Sequence, residues 1–239
     1  MLGPMVPPLL IAALFVLAPS PASAPALLLG QEQESAAPRW HGHERLDFEV
    51  AGKRARLVVP TNPAPGRPWV WRARFPDFHA GPDRILLERG FHIAHVDTGG
   101  MLGGPKAMAI WDRFYEVLRT NHGLAAQPAL EGVSRGGLFV YHWASLHPER
   151  VACLYTDTAV CDIRSWPLGE GAGRGHAPTW AHLLEELELT EGEARAYALN
   201  PTELLEPIAA AGIPILSIVS LNDEIVPPEE NTFVVAERF

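Results

Sequence analysis

Residues 129–146 read ALEGVSRGGLFVYHWASL. Pro128–Val133 is expected as a short strand, and Gly136–Leu146 as an apolar helix stopped by His147-Pro148. Between them stands Gly132-Val133-Ser134-Arg135-Gly136-Gly137, a Gly-x-Ser-x-Gly sequence in strand-to-helix context. A strand that turns directly into a helix forces the middle residue into strained dihedrals. Glycine at the flanking positions lets neighbouring backbone pass without a Cβ clash. The Ser134 hydroxyl is then expected at the carboxyl edge of a sheet, near a helix N-terminus whose free N–H groups favour a developing oxyanion. Ser134 is the candidate catalytic nucleophile on this elbow, and the backbone N–H of Arg135 a candidate oxyanion donor. An ordinary glycine-rich turn is the structural alternative.

Working outward, Arg45–Val50 and Arg54–Val59 alternate around Ala51-Gly52 and read as a hairpin. Trp69–Ala73, Phe91–Val96, Val151–Thr156 and Ile213–Val219 read as further strands, and Pro82–Arg89 as a helix ended by Gly90. Pro105–Thr120 carries Met108, Trp111, Phe114, Tyr115 and Leu118 at helical spacing. This alternation predicts an α/β fold: a mostly parallel sheet covered on both faces, with an antiparallel hairpin at its start. The stretch from Thr158 to Gly212 breaks the pattern with a Gly/Pro-rich loop (Trp166 to Pro178) and helical patterns at Thr179–Leu189, Glu191–Leu199 and Thr202–Ala211. An insertion on the side where strand ends carry chemistry reads as a helical cap, about 158–212.

The order of elements around Gly-x-Ser-x-Gly resembles the α/β-hydrolase fold over roughly Arg45 to Phe239. That resemblance implies a triad in the order Ser, Asp/Glu, His. Ser220-Leu221-Asn222-Asp223-Glu224-Ile225-Val226-Pro227 is similar to the family's Gly-x-x-Asp-x-Val-Val-Pro pattern, with Ser220 in place of the glycine. It implies Asp223 as the acid that holds a histidine tautomer; Glu224 and Asp157 are the alternatives. The ten histidines stand at 41, 43, 79, 92, 95, 122, 142, 147, 176 and 182, all before Asp223. The expectation is a chain that stops before the last strand and its catalytic histidine, with substitution by His176 or His182 as the other reading. The family's second oxyanion donor lies after the third strand, which implies the N–H of Ala73 or Arg74 here. Arg72, Arg74 and Arg135 would make a cationic mouth suited to a carboxylate or many hydroxyls, unless they answer Asp77, Asp83 or Asp97. Arg72 and Trp166 are the candidate substrate-binding residues. The Ser134-Arg135 pair also resembles the Gly-Cys-Ser-Arg of glucuronoyl esterases, where the arginine assists the oxyanion. Val133 and Leu138 depart from that motif, so the implication extends to Arg135 alone.

Of 239 residues, 47% are hydrophobic and 20% charged, with 23 Pro and 21 Gly, as in a globular chain with many turns. A net charge of −9 without a Lys/Arg cluster argues against nucleic acid or an anionic membrane surface as partner. Leu9–Ala18 is apolar but shorter than the roughly 20 residues of a membrane span. Ala22-Ser23-Ala24 follows as a cleavage signal, although no Lys or Arg precedes Arg39. Residues 1–30 are therefore expected to be a secretory signal peptide, 31–39 a linker and 40–239 the folded domain. A secreted or periplasmic protein without membrane attachment after cleavage follows. Gly99–Gly104 lacks dinucleotide spacing, and neither His41/His43 nor His92/His95 suits a metal, so no cofactor and no metal are expected. Cys153 and Cys161 either pair or stay free. Together these features lead to a secreted serine hydrolase that cleaves a small-molecule or saccharide carboxylic ester through an acyl-enzyme on Ser134. A prolyl-oligopeptidase-like peptidase and a non-catalytic binding protein of the same fold are the alternatives.

Overall fold

In the computed structural model the described residues are 38–239. The expected signal peptide and the linker up to residue 37 lie outside them. Ala51 and Gly52 take φ of 50° and 71°, the left-handed pair that matches a two-residue turn to the twist of its strands. They join β2 (His43–Val50) to β3 (Lys53–Val59). Arg39, expected in the linker, belongs instead to β1 (Arg39–Trp40), which pairs with β2. Burial of the Trp40 ring holds this short strand, and its indole N–H donates to Asp77 at 2.7 Å.

The expected alternation follows: β4 (Trp69–Arg72), α1 (Gly81–Glu88), β5 (His92–Val96), α2 (Pro105–Thr120), β6 (Ala129–Val133), α3 (Gly137–Leu146) and β7 (Cys153–Asp157). One sheet has the order β1-β2-β3-β5-β4-β6-β7-β8, with β8 (Ile215–Ile218) at its edge. The hairpin is antiparallel, and β5, β4, β6, β7 and β8 run parallel. From β4 the chain proceeds to one side of the sheet, and from β6 to the other. Such a reversal opens a crevice at the carboxyl ends of the two strands, where open α/β sheets bind ligands.

Side chains alternate across β4. Trp69 and Trp71 face α2 and α3, where Trp71 stacks on Trp111 at 4.3 Å and meets Trp143 edge-on at 4.9 Å. The apolar stripe of α2 is buried as its spacing predicts. Val70 points the other way, into a smaller cluster with Ile93 and Leu87 of α1. Arg72 falls on this second face and is 1% exposed. Its Nη1 donates to Asp83 of α1 at 2.6 Å and to Glu131 of β6 at 2.7 Å.

Between β7 and β8 lie a turn at Arg164–Leu168, α4 (Ala177–Leu187), α5 (Glu191–Arg195) and α6 (Leu205–Ala210). The last two helices are shorter than their patterns suggest. Asn200-Pro201 opens a separate turn, and Pro207 has no N–H to donate, so it is accommodated in the first turn of α6. The edge strand departs from a sheet covered on both faces, because Leu216 and Ile218 are 61% and 46% exposed. Cys153 and Cys161 are free thiols, and burial pushes that of Cys161 up.

One buried cation serves two carboxylates at Arg72. Burial first, and Asp83 second, push Glu131 up to about 8, against the pull of Arg72. An acid whose folded pKa is raised contributes stability at low pH that is lost as pH rises from about 4.5 through about 8. Glu131→Gln mimics the protonated acid and does not titrate. Its stability relative to the wild type should therefore rise between pH 5 and 8, by on the order of 1 kcal/mol per pH unit. Urea unfolding at the two pH values checks this; a constant difference would show Glu131 already ionised in the fold.

Candidate active site

Ser134 follows β6 directly, with φ at 51°. A non-glycine residue in that left-handed region costs about 1–2 kcal/mol, so its surroundings must hold it there. The Ser134 carbonyl accepts from Val160 N–H at 2.9 Å and from Gly137 N–H. The hydroxyl-bearing residue itself is half-buried at the carboxyl edge of the sheet, ahead of α3.

The glycine requirement holds at Gly132 and is displaced from Gly136 to Gly137. At Gly132 a Cβ would stand 2.7 Å from Val140 Cγ2 and 3.2 Å from the Gly136 backbone, as the strand-to-helix turn demands. At Gly136 the nearest atom would be 3.5 Å away, an ordinary contact. The tight place is Gly137, where a Cβ would meet Val160 O at 2.5 Å and Ala159 Cβ at 2.9 Å. The chain leaving β7 passes so close under α3 that no side chain fits between them.

The loop after β4 lies against this turn, since a Cβ at Gly136 would stand 3.5 Å from Ala73 Cβ and 3.6 Å from Arg74 Cγ. Ala73 is not an oxyanion donor: its N–H extends the sheet and donates to Glu131 O at 2.9 Å. Arg74 N–H donates to no acceptor among the described residues. Arg135 N–H stands in the first helical turn, where no intrahelical acceptor exists. Two backbone donors without an acceptor among the described residues, one from each side of the β4–β6 crevice, thus belong to residues that flank the turn carrying Ser134.

Arg72 is not a substrate-binding residue. Besides its two carboxylates it donates Nε to Phe75 O at 3.0 Å and Arg74 O at 3.3 Å, and Nη2 to Phe78 O. Each of its three nitrogens donates inside the fold, and Nε and Nη2 hold the Arg74–Phe78 loop by its carbonyls. The guanidiniums of Arg74 and Arg135 remain at the crevice, 5.2 and 5.6 Å from the centre of the Phe75 ring. Arg135 also lies 6.0 Å from the ring of Trp166, which is half-buried on the Arg164–Leu168 turn. Trp143 and Trp180, by contrast, are core residues. Thr98 and the Gly99–Gly104 loop after it contribute acceptors: Thr98 O at 3.3 Å and Gly99 O receive Arg74 Nη1.

Asp223 sits five residues beyond β8, half-buried, with Oδ1 accepting from Ile225 N–H and Val226 N–H at 2.9 Å each. That fixes the carboxylate and leaves Oδ2 without a partner among the described residues. Glu224 is exposed and paired with Arg174. Asp157 ends β7 in register with Val133. None of the ten histidines hydrogen-bonds Ser134 or Asp223. His176 Nδ1 caps α4 at Thr179, and His182 Nε2 meets Gly100 O at 2.5 Å.

Two residues of this site carry no sequence signal of their own. Phe75, with φ at 51°, offers the ring that both arginines share. Asn231 is fully buried; its Oδ1 accepts from Cys161 N–H at 2.8 Å, and its Nδ2 donates to Ser165 Oγ and Pro227 O at 2.9 Å each. It ties the chain beside Val160, the turn bearing Trp166 and the segment after Asp223 to one side chain.

No family model and no curated protein matches the chain. Solved structures do. A puromycin hydrolase mutant superposes with a TM-score of 0.64 at 18% identity, over 82% of this chain and 33% of that one. The chain has the α/β-hydrolase fold. A 2,6-dihydroxy-pseudo-oxynicotine hydrolase gives 0.60 at 18% identity, over 82% and 57%. A Pyrococcus furiosus esterase gives 0.56 at 14% identity, over 84% and 82%. The chain spans about a third of the length of the puromycin hydrolase it matches. In this α/β-hydrolase fold, Ser134 and Asp223 both lie beyond carboxyl ends of parallel strands.

The two glycines after Ser134 should respond differently to alanine. Gly137→Ala must displace the Val160 backbone that holds Ser134, and should cost about 1–3 kcal/mol of stability. Gly136→Ala, at helical φ where the added Cβ makes only ordinary contacts, should be neutral or gain up to about 1 kcal/mol. Urea unfolding of both variants checks this, and equal effects would refute the close passage under α3.

Proposed function

We propose that Ser134 is the nucleophile of a serine hydrolase that cleaves carboxylic esters. The observation that carries this reading is the serine in a left-handed conformation at the sheet's reversal point, on a turn flanked by two residues whose backbone N–H groups have no acceptor among the described residues. In the step proposed, Ser134 Oγ attacks the ester carbonyl carbon and the N–H groups of Arg135 and Arg74 receive the developing oxyanion. The bond to the leaving oxygen breaks, the alcohol departs with a proton, and water hydrolyses the acyl-enzyme. Asp223 would orient and stabilise a protonated base. No histidine of this chain stands in that position, and Ser134 without a base is a weak nucleophile.

Small-molecule or saccharide esters are the proposed substrates, and export the proposed role of residues 1–30. A second reading, a peptidase, is favoured by the likeness to an acylaminoacyl peptidase (TM-score 0.58, 15% identity, 82% of this chain and 35% of that one). A Porphyromonas gingivalis dipeptidyl peptidase 4 adds to it, at 0.61 and 14% identity over 84% and 30%. Cleavage of aminoacyl anilides without cleavage of acetyl esters would select it.

A fluorophosphonate should label the protein at Ser134, faster when imidazole is added as a diffusible base. Mass spectrometry of the modified peptide checks the position. Label that survives in Ser134→Ala, or no label with and without imidazole, would sink the assignment.

A further inference from the structure

Around the crevice most cations are answered. Arg45, Arg54 and Arg56 line a cleft of about 660 Å³ on the polar face of β2, β3 and β5. There Arg45 meets Asp47 at 2.8 Å, Arg54 meets Asp97 at 3.2 Å and Arg56 meets Asp77 at 3.0 Å. Arg72 is neutralised in the interior.

Arg74 and Arg135 are different. The Arg135 guanidinium makes no hydrogen bond and no ion pair with any described residue. Arg74 is 7% exposed, gives Nη1 to two carbonyls, and has a buried Nε with no partner. Asp97, the carboxylate that acts on Arg74, is itself engaged with Arg54 and with Gly99 N–H at 3.1 Å. Two like charges therefore share the Phe75 ring in a partly desolvated place. Their cost is visible in Arg74, which burial and then Arg135 push down to about 10. A planar guanidinium matches a carboxylate with two parallel hydrogen bonds, and the pairing strengthens as water is excluded. Phe75 and Trp166 give the same place apolar walls for a carbon skeleton.

Resting on the hydrolase reading above, we propose that Arg74 and Arg135 bind a carboxylate of the substrate, so that the protein prefers esters whose acyl or alcohol part is anionic. The pair acts as a specificity device beside Ser134, separate from the backbone N–H groups of the same residues.

The test is calorimetric binding to Ser134→Ala of two matched pairs: monomethyl and dimethyl succinate, and acetoxyacetate and its ethyl ester. At least one anion should bind about tenfold or more tightly than its neutral partner, in line with a charge-assisted hydrogen bond. The pair that discriminates tells which side of the ester carries the charge. Arg135→Gln, at a half-exposed position, should abolish most of the preference, Arg135→Lys should retain part, and added KCl should weaken it. Equal affinity within both pairs, or a preference that survives Arg135→Gln and Arg74→Gln, would overturn the proposal. Fluorophosphonate labelling of the wild type separates the two readings. Charge discrimination without labelling supports the anion site and removes the hydrolase; labelling without discrimination does the reverse.

Discussion

The buried guanidinium of Arg72 is the interaction on which the rest of the crevice depends. It joins β4 to α1 through Asp83 and to β6 through Glu131, and it holds three carbonyls of the loop beyond β4. Removing a charge from water costs several kcal/mol, recovered only when every donor finds an acceptor in good geometry. Here all three nitrogens find acceptors, on one helix, one strand and one loop. The loop therefore cannot move without exposing an unpaired buried charge. That loop presents Arg74 N–H and Phe75 to the strand end that carries Ser134.

On the other wall the constraint is steric rather than electrostatic. The chain leaving β7 passes within contact of Gly137, and its Val160 N–H holds the carbonyl of a serine that would otherwise leave the left-handed region. Asn231 then fixes the same chain to the segment beyond Asp223. Sheet edge, turn and downstream loop are thus set against one another by a few buried polar contacts. The aromatic stack around Trp71 supplies the rigid floor beneath them.

Much of this was legible in the sequence because it is periodic or locally coded. The hairpin at Ala51-Gly52, the buried stripe of α2 and the strand-to-helix turn at Ser134 each have a pattern within a few residues. Element ends were less legible where proline intervenes, at Pro201 and Pro207. Failures at the site have one character. Arg72 and Ala73 read as mouth residues by their place after a strand, but β4 is buried on both faces. One side chain was drawn into the interior, and one N–H into the ladder. Gly136 looked indispensable because the motif names it, while the collision that matters, at Gly137, comes from residue 160.

By itself, the sequence determined the class of fold and the position of Ser134 at a strand's carboxyl end, because hydrophobic period and turn chemistry act locally; Asp223 was reached only through a resemblance to a family pattern. Only the tertiary structure decided which arginines keep their charge available, since that depends on carboxylates distant in the chain: Asp83 and Glu131 for Arg72, none for Arg135. It also decided which N–H groups near this turn find an acceptor among the described residues, because strand pairing claims that of Ala73 and leaves that of Arg74.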